Sequence, residues 1–381
     1  MKIGITCYPT YGGSGVVATE LGMELAARGH EVHFISYALP IRLAELGDQP
    51  EVARRICYHE VEVLSYPLFD FPPYALALAT KMAEVAEHYE LDLLHVHYAI
   101  PHSVSAYLAR AMRAPHRLPF VTTLHGTDIT LVGQDRSFLP ITRFAIEESD
   151  GVTAVSNYLR EVTRREFNVR KPIEVIPNFV NCDRYRRQEN AEARRVLAPN
   201  GEALVAHLSN FRPVKRIPEV IEIFARVRAA QPARLLLMGD GPERANAEYL
   251  VREKGIADDV LFLGKQNAVY EKLGLCDLFL LPSESESFGL AALEAMACEV
   301  PVIASDVGGL REVIHQGEDG CLLPVGNVEA MSRCALELLS QPERGREMGR
   351  RARESARARF CSTLIIPRYE AFYQQVLEQS A

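Results

Sequence analysis

The chain has 381 residues, 48% of them hydrophobic and 24% charged, which is apolar material for two domains of roughly 100–200 residues each and excludes a disordered or fibrous protein. Lys and Arg number 42 against 50 Asp and Glu; the resulting net charge of −8 argues against general binding to nucleic acid or to an anionic membrane. It does not exclude a small anionic substrate, because the field of a site depends on a few local residues. The first apolar run, Ile3-Gly4-Ile5-Thr6-Cys7, is too short for a signal peptide, and no later segment approaches the ~18 apolar residues of a membrane span. A soluble cytoplasmic protein is expected. Eight scattered cysteines without a C-x-x-C pair form neither a zinc pattern nor a compact disulfide framework and read as reduced thiols.

Short runs rich in β-branched residues and leucine alternate with helical patterns, as in parallel α/β architecture. Strands are predicted at 3–7, 31–36, 57–63, 92–97, 120–124, 151–155 and 173–176, and again at 203–209, 234–238, 260–263, 277–281, 301–304 and 321–324. Two doubly wound parallel sheets follow. Between them, residues 181–200 lose apolar periodicity, are dominated by Arg and Glu, and end in the turn Pro199-Asn200-Gly201, so the boundary is placed between residues 186 and 187. This gives domains at 1–186 and 187–363. Seven arginines within 344–359 alternate with Glu347 and Glu354 and follow Glu343, with i,i+4 pairs such as Glu347/Arg351, and read as a solvated helix face without a functional role. The tail 364–377 carries Ile365, Tyr369, Phe372, Tyr373 and Val376 in a helical stripe that has to pack on another surface.

Chemistry-bearing motifs sit where strands give way to helices. Tyr11-Gly12-Gly13-Ser14-Gly15 follows the first strand and opens a helix with the apolar stripe Val17, Leu21, Leu25. Its glycines and free helix-start amides suit a phosphate, and the other reading is a plain tight turn. Gly13-x-Gly15-x-x-Ala18 fits the dinucleotide fingerprint formally, but Tyr8–Tyr11 separates it from the strand, and the second strand ends in Phe34-Ile35-Ser36-Tyr37 without the acidic residue that binds a ribose. A nicotinamide dehydrogenase is therefore a weak alternative.

In the second half, the strand at 277–281 runs into Ser283-Glu284-Ser285-Glu286-Ser287-Phe288-Gly289-Leu290, and a helix follows. Glu286 precedes that helix and Glu294 lies one turn inside it, so two acceptor-only carboxylates can face one cleft and bind sugar hydroxyls. Glu284 reads equally well as an exposed residue at a helix start. The cations of Asn210-Phe211-Arg212-Pro213-Val214-Lys215-Arg216 follow the first strand of this domain; a diphosphate site and a solvated loop both remain open for them. In the first half His95 and His97 share a strand face, and Leu124-His125-Gly126-Thr127-Asp128 follows another strand. A zinc site lacks a third ligand at a convincing spacing, and a hydrolase lacks the Gly-x-Ser-x-Gly elbow, so polar groups lining a cleft are the favoured reading.

With these residues in place, the chain resembles the retaining family-4 glycosyltransferases of the GT-B fold over nearly its whole length. The resemblance rests on Glu286-x7-Glu294 with Ser287-Phe288-Gly289-Leu290, on Pro301-Val302-Ile303-Ala304-Ser305-Asp306-Val307-Gly308-Gly309 and on Gly12-Gly13-Ser14-Gly15. The segments Gly4–Pro9, Phe71–Tyr74, His97–His102, Thr122–Thr130 and Arg143–Glu147 are similar to the subfamily that transfers N-acetylglucosamine to L-malate, the first step of bacillithiol biosynthesis.

The resemblance implies two Rossmann-like domains with a cleft between them, a C-terminal helix at 364–381 crossing back to the first domain, and UDP-N-acetylglucosamine and L-malate as substrates, with no metal or other cofactor. It implies that Glu294 binds the ribose, Glu286 the donor sugar, and Arg212 and Lys215 the diphosphate. Amides of Phe288, Gly289 and Leu290, beside Ser287, point at the donor, as do Gly13, Ser14 and Gly15. His125 contacts the donor sugar, and Tyr98, Thr123, Thr127 and Arg143 hold malate. A homodimer is a further implication. The alternatives are another acceptor, such as an inositol phosphate or a polysaccharide, or a non-catalytic nucleotide-sugar sensor. Two departures from the family pattern are Asn210, where many members carry Arg, and Glu299 in place of a small residue.

Overall fold

Among the described residues, each predicted apolar run forms a strand, and every strand pairing is parallel. The computed structural model describes residues 1–10, 12–43, 49–64, 66, 71–130 and 132–380; Tyr11 of the glycine-rich turn and Ala381 of the C-terminal stretch lie outside them. The first sheet contains β1 (Lys2–Thr6), β2 (Glu31–Ser36), β3 (Ile56–Glu60), β4 (Leu93–His97), β5 (Phe120–Leu124), β6 (Gly151–Ala154) and β7 (Glu174–Val175) in the order β3-β2-β1-β4-β5-β6-β7. The second contains β8 (Ala203–Leu208), β9 (Ala233–Met238), β10 (Val260–Gly264), β11 (Leu278–Leu281), β12 (Val302–Ser305) and β13 (Cys321–Leu323) in the order β10-β9-β8-β11-β12-β13. Parallel sheets covered by helices on both faces need strands that are apolar on both faces, which is why Leu278–Leu281 and Val302–Ser305 are wholly buried.

In each sheet the winding reverses once, between β1 and β4 and between β8 and β11. Loops leaving neighbouring strands there diverge to opposite faces, and the crevice outside the carboxyl ends of those strands is where α/β sheets bind ligands. The first reversal brings the loop into Gly12–Gly15 beside Tyr98, with β1 and β4 paired through Ile5↔His95. The second brings Ser209–Lys215 beside Pro282–Gly289, with β8 and β11 paired through Phe279↔Ala206.

The chain divides into two units, Met1–Pro177 with Leu364–Ala381, and Asn178–Thr363. The division thus falls ahead of the boundary placed at 186/187. The Arg-rich segment looked like a linker because its anchors are polar. Val180 bridges to Cys361, Tyr185 is buried, Arg187 contacts Asp277 at 3.6 Å and Arg194 contacts it at 2.6 Å, all within the second unit. Each unit has its own core. Leu78, Met82, Leu94 and Phe120 belong to the first, and Val205, Phe224, Leu235, Leu280 and Ile303 to the second. Burying each such side chain contributes about 1.5–3 kcal/mol.

The helical stripe of the tail packs on the first unit. Tyr369 and Tyr373 are fully buried, and Gly151 lies so close that a Cβ there would meet Val376 at 2.7 Å and Phe372 at 2.8 Å. Arg28 and His30 both bond Glu370.

The arginine run forms the helix Pro342–Phe360, and its reading as a purely solvated face needs correction. Arg350 and Arg351 do bond Glu347 at the surface. Arg353 and Arg359 instead turn inward onto backbone carbonyls, Arg353 onto Cys182, Tyr185 and Ala297, and Arg359 onto Glu312 and Val313. A guanidinium with five donors suits carbonyls that no helix or sheet satisfies.

Candidate active site

At the β8/β11 reversal of the second unit, Lys215 and Glu286 meet at 2.6 Å. The loops carrying them are stitched by the Glu284 amide donating to the Val214 carbonyl at 2.8 Å, and Ser283 Oγ donates to the same Glu286 oxygen at 2.8 Å. An ammonium has three donors and a carboxylate about four acceptor positions, so a pair joined by one bond keeps capacity for a ligand. Arg212, expected beside Lys215, is exposed and makes no ion pair among the described residues. Asn210, where a family arginine was expected, keeps its Oδ1 buried without a partner. Arg216 is spoken for by Glu219 and Glu284.

The helix Leu290–Ala297 starts at this edge. Gly289 caps it at φ 96°, a left-handed conformation that suits glycine, and a Cβ there would press into Leu310 at 2.4 Å. The amides of the first turn have no partners within the helix and carry its positive end. Phe288 is buried with its ring edge-on to Phe360, 5.5 Å between centroids, so only its backbone is available to a ligand. Leu290 and Ser287 are half-buried beside it. The Gly309 amide donates to the Glu286 carbonyl at 2.9 Å, which ties the second glycine-bearing motif to the same loop. Glu294 is buried and accepts a 2.7 Å hydrogen bond from Tyr185 Oη.

At the β1/β4 reversal of the first unit, the helix Gly13–Ala27 begins at Gly12, with no side-chain cap. Gly15 is fixed by close approach: a Cβ there would lie 2.5 Å from the Tyr8 carbonyl oxygen and 2.7 Å from that of Thr10. Ser14 Oγ donates to Tyr98 Oη at 2.9 Å. Tyr98 sits at φ 88°, a strained backbone for a non-glycine residue, at a cost on the order of 1–3 kcal/mol, with its amide held by the Thr123 carbonyl at 2.9 Å.

Behind Tyr98 lies a cluster of buried histidines. His97 Nδ1 and His125 Nε2 are hydrogen-bonded at 2.7 Å, and His95 bonds Thr123 Oγ1 at 2.6 Å and Tyr373 Oη at 2.7 Å. His102 Nδ1 lies 2.5 Å from the His97 carbonyl; a carbonyl only accepts, so Nδ1 carries the proton. Its Nε2 is then an acceptor, and it is buried without a partner, as is His97 Nε2. Burial pushes His95 and His125 down to about 3 and His102 to about 4, and lowers His97 as well, so the cluster is neutral at pH 7. Burial also lifts Asp128 to about 6, although the Ala99 and Gly126 amides, each at 3.0 Å, favour its charged form.

The structure therefore brings Ser14, Tyr98 and His125 together at one sheet edge, with the Tyr98 and His125 rings 5.5 Å apart. Thr127 is half-buried on the turn after β5, and Arg143 is half-buried on the helix Leu139–Glu148 with no ion pair among the described residues. Thr123, expected to touch a ligand, is fully buried with its hydroxyl committed to His95 and Thr153, 2.7 Å from the latter. Sequence reasoning missed Tyr185, Arg353 and Ser283. Tyr185 stands in a segment read as a linker and Arg353 in a run read as solvated, so neither carried a local signal. Among the described residues no three His, Cys, Asp or Glu converge as metal ligands, and no helix is long and apolar enough to cross a membrane.

Residues 11–184 match the family described as Glycosyltransferase Family 4, and residues 188–355 match Glycosyl transferases group 1. The chain is 49% identical to the N-acetyl-alpha-D-glucosaminyl L-malate synthase of Bacillus anthracis over 378 residues, which cover 99% of this chain and 97% of that protein. It is 29% identical to a D-inositol 3-phosphate glycosyltransferase of Nocardia farcinica, covering 90% of this chain and 80% of the relative. In three dimensions it is similar to Anabaena Alr3699/HepE solved with UDP and glucose, at a TM-score of 0.79 and 19% identity over 100% and 99% of the two chains. The sucrose-phosphate synthase of Thermosynechococcus elongatus matches with a TM-score of 0.78 and 23% identity over the full length of both. The two-sheet architecture is that of GT-B glycosyltransferases.

Proposed function

Because the chain belongs to the family-4 glycosyltransferases, we propose that it transfers N-acetylglucosamine from UDP-N-acetylglucosamine to the hydroxyl of L-malate with retention, the first step of bacillithiol biosynthesis. The observation that carries this reading is the likeness to the Bacillus anthracis synthase, which runs through both units rather than through one. A donor-side likeness alone would leave the acceptor open.

On this reading Lys215 and Arg212 neutralise the diphosphate as the sugar–phosphate bond breaks, and the first-turn amides at Gly289 and Leu290 supply further positive potential. Charge that grows on the leaving group is what such a site stabilises most. Glu286 meets the sugar hydroxyls and Glu294 the ribose, and the helix-start amides of Gly13, Ser14 and Gly15 suit an anion. The malate hydroxyl attacks the anomeric carbon on the face that UDP leaves, and its proton passes to the departing diphosphate oxygen. Malate carries two carboxylates; Arg143 matches one as a fork, and Tyr98 and Thr127 are neutral donors for the other. A neutral His125 beside the donor sugar donates or accepts a hydrogen bond without adding charge. Cationic side chains fill the role that a divalent metal plays elsewhere, so turnover is expected to persist in chelator.

The test is UDP release from UDP-N-acetylglucosamine with a panel of acceptors. Acceleration by L-malate, and not by other hydroxy acids, inositol phosphate or oligosaccharides, is the expected result. Acceleration by inositol phosphate alone would assign a different acceptor, and donor binding without turnover on any acceptor would make the protein a nucleotide-sugar sensor.

A further inference from the structure

Glu294 poses a physical problem. A carboxylate so deeply buried keeps its charge only if its oxygens are bonded and its position is fixed before a ligand arrives. One of those bonds comes from a residue 109 positions away in the chain, Tyr185, whose hydroxyl donates to Oε1 at 2.7 Å. Tyr185 is itself 3% exposed, with its ring edge against that of Tyr270 at 5.7 Å, so it has no alternative position to swing to.

Its main chain is gripped as well. Arg353 donates to the Tyr185 carbonyl at 2.6 Å and to the Cys182 carbonyl at 3.0 Å. The same guanidinium reaches the carbonyl of Ala297, at the C-terminal end of the helix that carries Glu294. The ring is closed: helix to Glu294 to Tyr185 to Arg353 and back to the helix. Asn181 Oδ1, accepting from the amides of Asp183 and Arg184, both at 3.1 Å, shapes the turn that presents Tyr185. Three elements distant in sequence thus converge on one carboxylate, and stability alone does not account for spending a buried tyrosine hydroxyl and a five-donor side chain there.

We infer that Tyr185, held by Arg353, is a positioning residue that fixes Glu294 for two vicinal hydroxyls of the donor's ribose, and so sets the preference for a ribonucleotide over a 2′-deoxyribonucleotide. The inference rests on the donor-site reading above. A carboxylate that spans two neighbouring hydroxyls needs both oxygens in one plane with them. The Tyr185 hydroxyl constrains rotation about the terminal carbon–carbon bond of Glu294. Without the phenol, the carboxylate keeps its place in the sequence but loses that orientation.

The test uses the full chain. UDP and 2′-deoxy-UDP affinities, with KM and kcat for UDP-N-acetylglucosamine, are measured for the wild type, Tyr185→Phe, Arg353→Lys and Glu294→Gln, with thermal unfolding of each as a control. Losing a hydrogen bond to a charged group predicts about tenfold weaker UDP binding in Tyr185→Phe, a larger change in KM than in kcat, and a preference for UDP over 2′-deoxy-UDP reduced by a similar factor. Arg353→Lys, which keeps the charge but not the fork, is expected to fall between. If Tyr185→Phe keeps the wild-type preference, or weakens both nucleotides equally through lower stability, the inference is overturned. Glu294→Gln separates the two levels. If it also keeps the preference, the ribose assignment itself is wrong; if it loses the preference while Tyr185→Phe does not, only the role of Tyr185 fails.

Discussion

Lys215 does two jobs at once. It balances Glu286 at 2.6 Å, and on the proposed reading its two further donors meet phosphate oxygens. Lys215→Ala leaves Glu286 with the Ser283 hydroxyl as its hydrogen-bond donor in a half-buried loop and removes the positive charge that the proposed reading sets against the diphosphate. UDP release is expected to fall by on the order of 10²–10³-fold, the scale of losing one well-placed transition-state donor. Steady-state assay beside a melting curve checks this, and near-normal turnover by a well-folded variant would refute the role. Arg212 is the opposite case, an exposed cation with no ion pair among the described residues and no helix or sheet fixing its side chain. Its assignment comes from the family resemblance, and the neighbouring Asn210 was legible as a departure but not as a residue whose Oδ1 is buried without a partner.

His95 and His97 lie on β4, with His102 in the segment after it and His125 directly after the adjacent strand β5, and the burial of this cluster has a consequence for acid stability. In the unfolded chain His95, His97, His102 and His125 titrate near 6.5, whereas in the fold burial holds them far lower, at about 3 to 4 for His95, His102 and His125. As pH drops below about 6.5 the unfolded state therefore takes up protons that the native state refuses, and stability falls until the native values are reached. Asp128 works the other way: raised to about 6, it binds its proton in the fold before the unfolded chain does, so it adds stability as pH drops from about 6 toward 4. The histidines outnumber Asp128, so on balance the cluster loses stability as pH falls from about 6 toward 4. Urea midpoints at pH 7, 6 and 5 should decline steeply, and a flat profile would exclude neutral buried histidines. The strands themselves were readable because both-face burial writes an uninterrupted apolar run. The histidine network was not, since the placement of His97 and His125 on facing edges depends on β4 and β5 being neighbours, which sequence order does not specify.

At the scale of the whole molecule, the units differ in how the chain builds them. Residues 178–363 form the second unit from one continuous stretch, whereas the first needs residues 1–177 and the segment from Leu364 onward. A fragment spanning 178–363 is expected to fold cooperatively and to bind UDP. A fragment ending at residue 177 lacks Tyr369 and Tyr373 and leaves His95 without its tyrosine partner, so it is expected to aggregate unless the 362–380 peptide is supplied. Solubility and circular dichroism of the two fragments, with and without the peptide, decide this; a stable, monomeric 1–177 fragment would show that the tail is dispensable. The general two-domain plan was visible in the restart of the strand pattern. The division at 177/178 was hidden because the segment after it is anchored by arginine–carbonyl and arginine–carboxylate bonds, which leave no hydrophobic period.

That discontinuity also orders events on the ribosome. The strands of the first unit leave the exit tunnel about 190 residues before the helix that covers them. At synthesis rates of about 5–20 residues per second, they wait on the order of 10–40 seconds with the bed of Tyr373 uncovered. The second unit, though later in the message, is the one able to finish folding first. A transcript truncated anywhere in the second half therefore yields a chain whose first unit stays incomplete and open to proteolysis, so the position of one helix makes the stability of the first unit report on whether translation reached it.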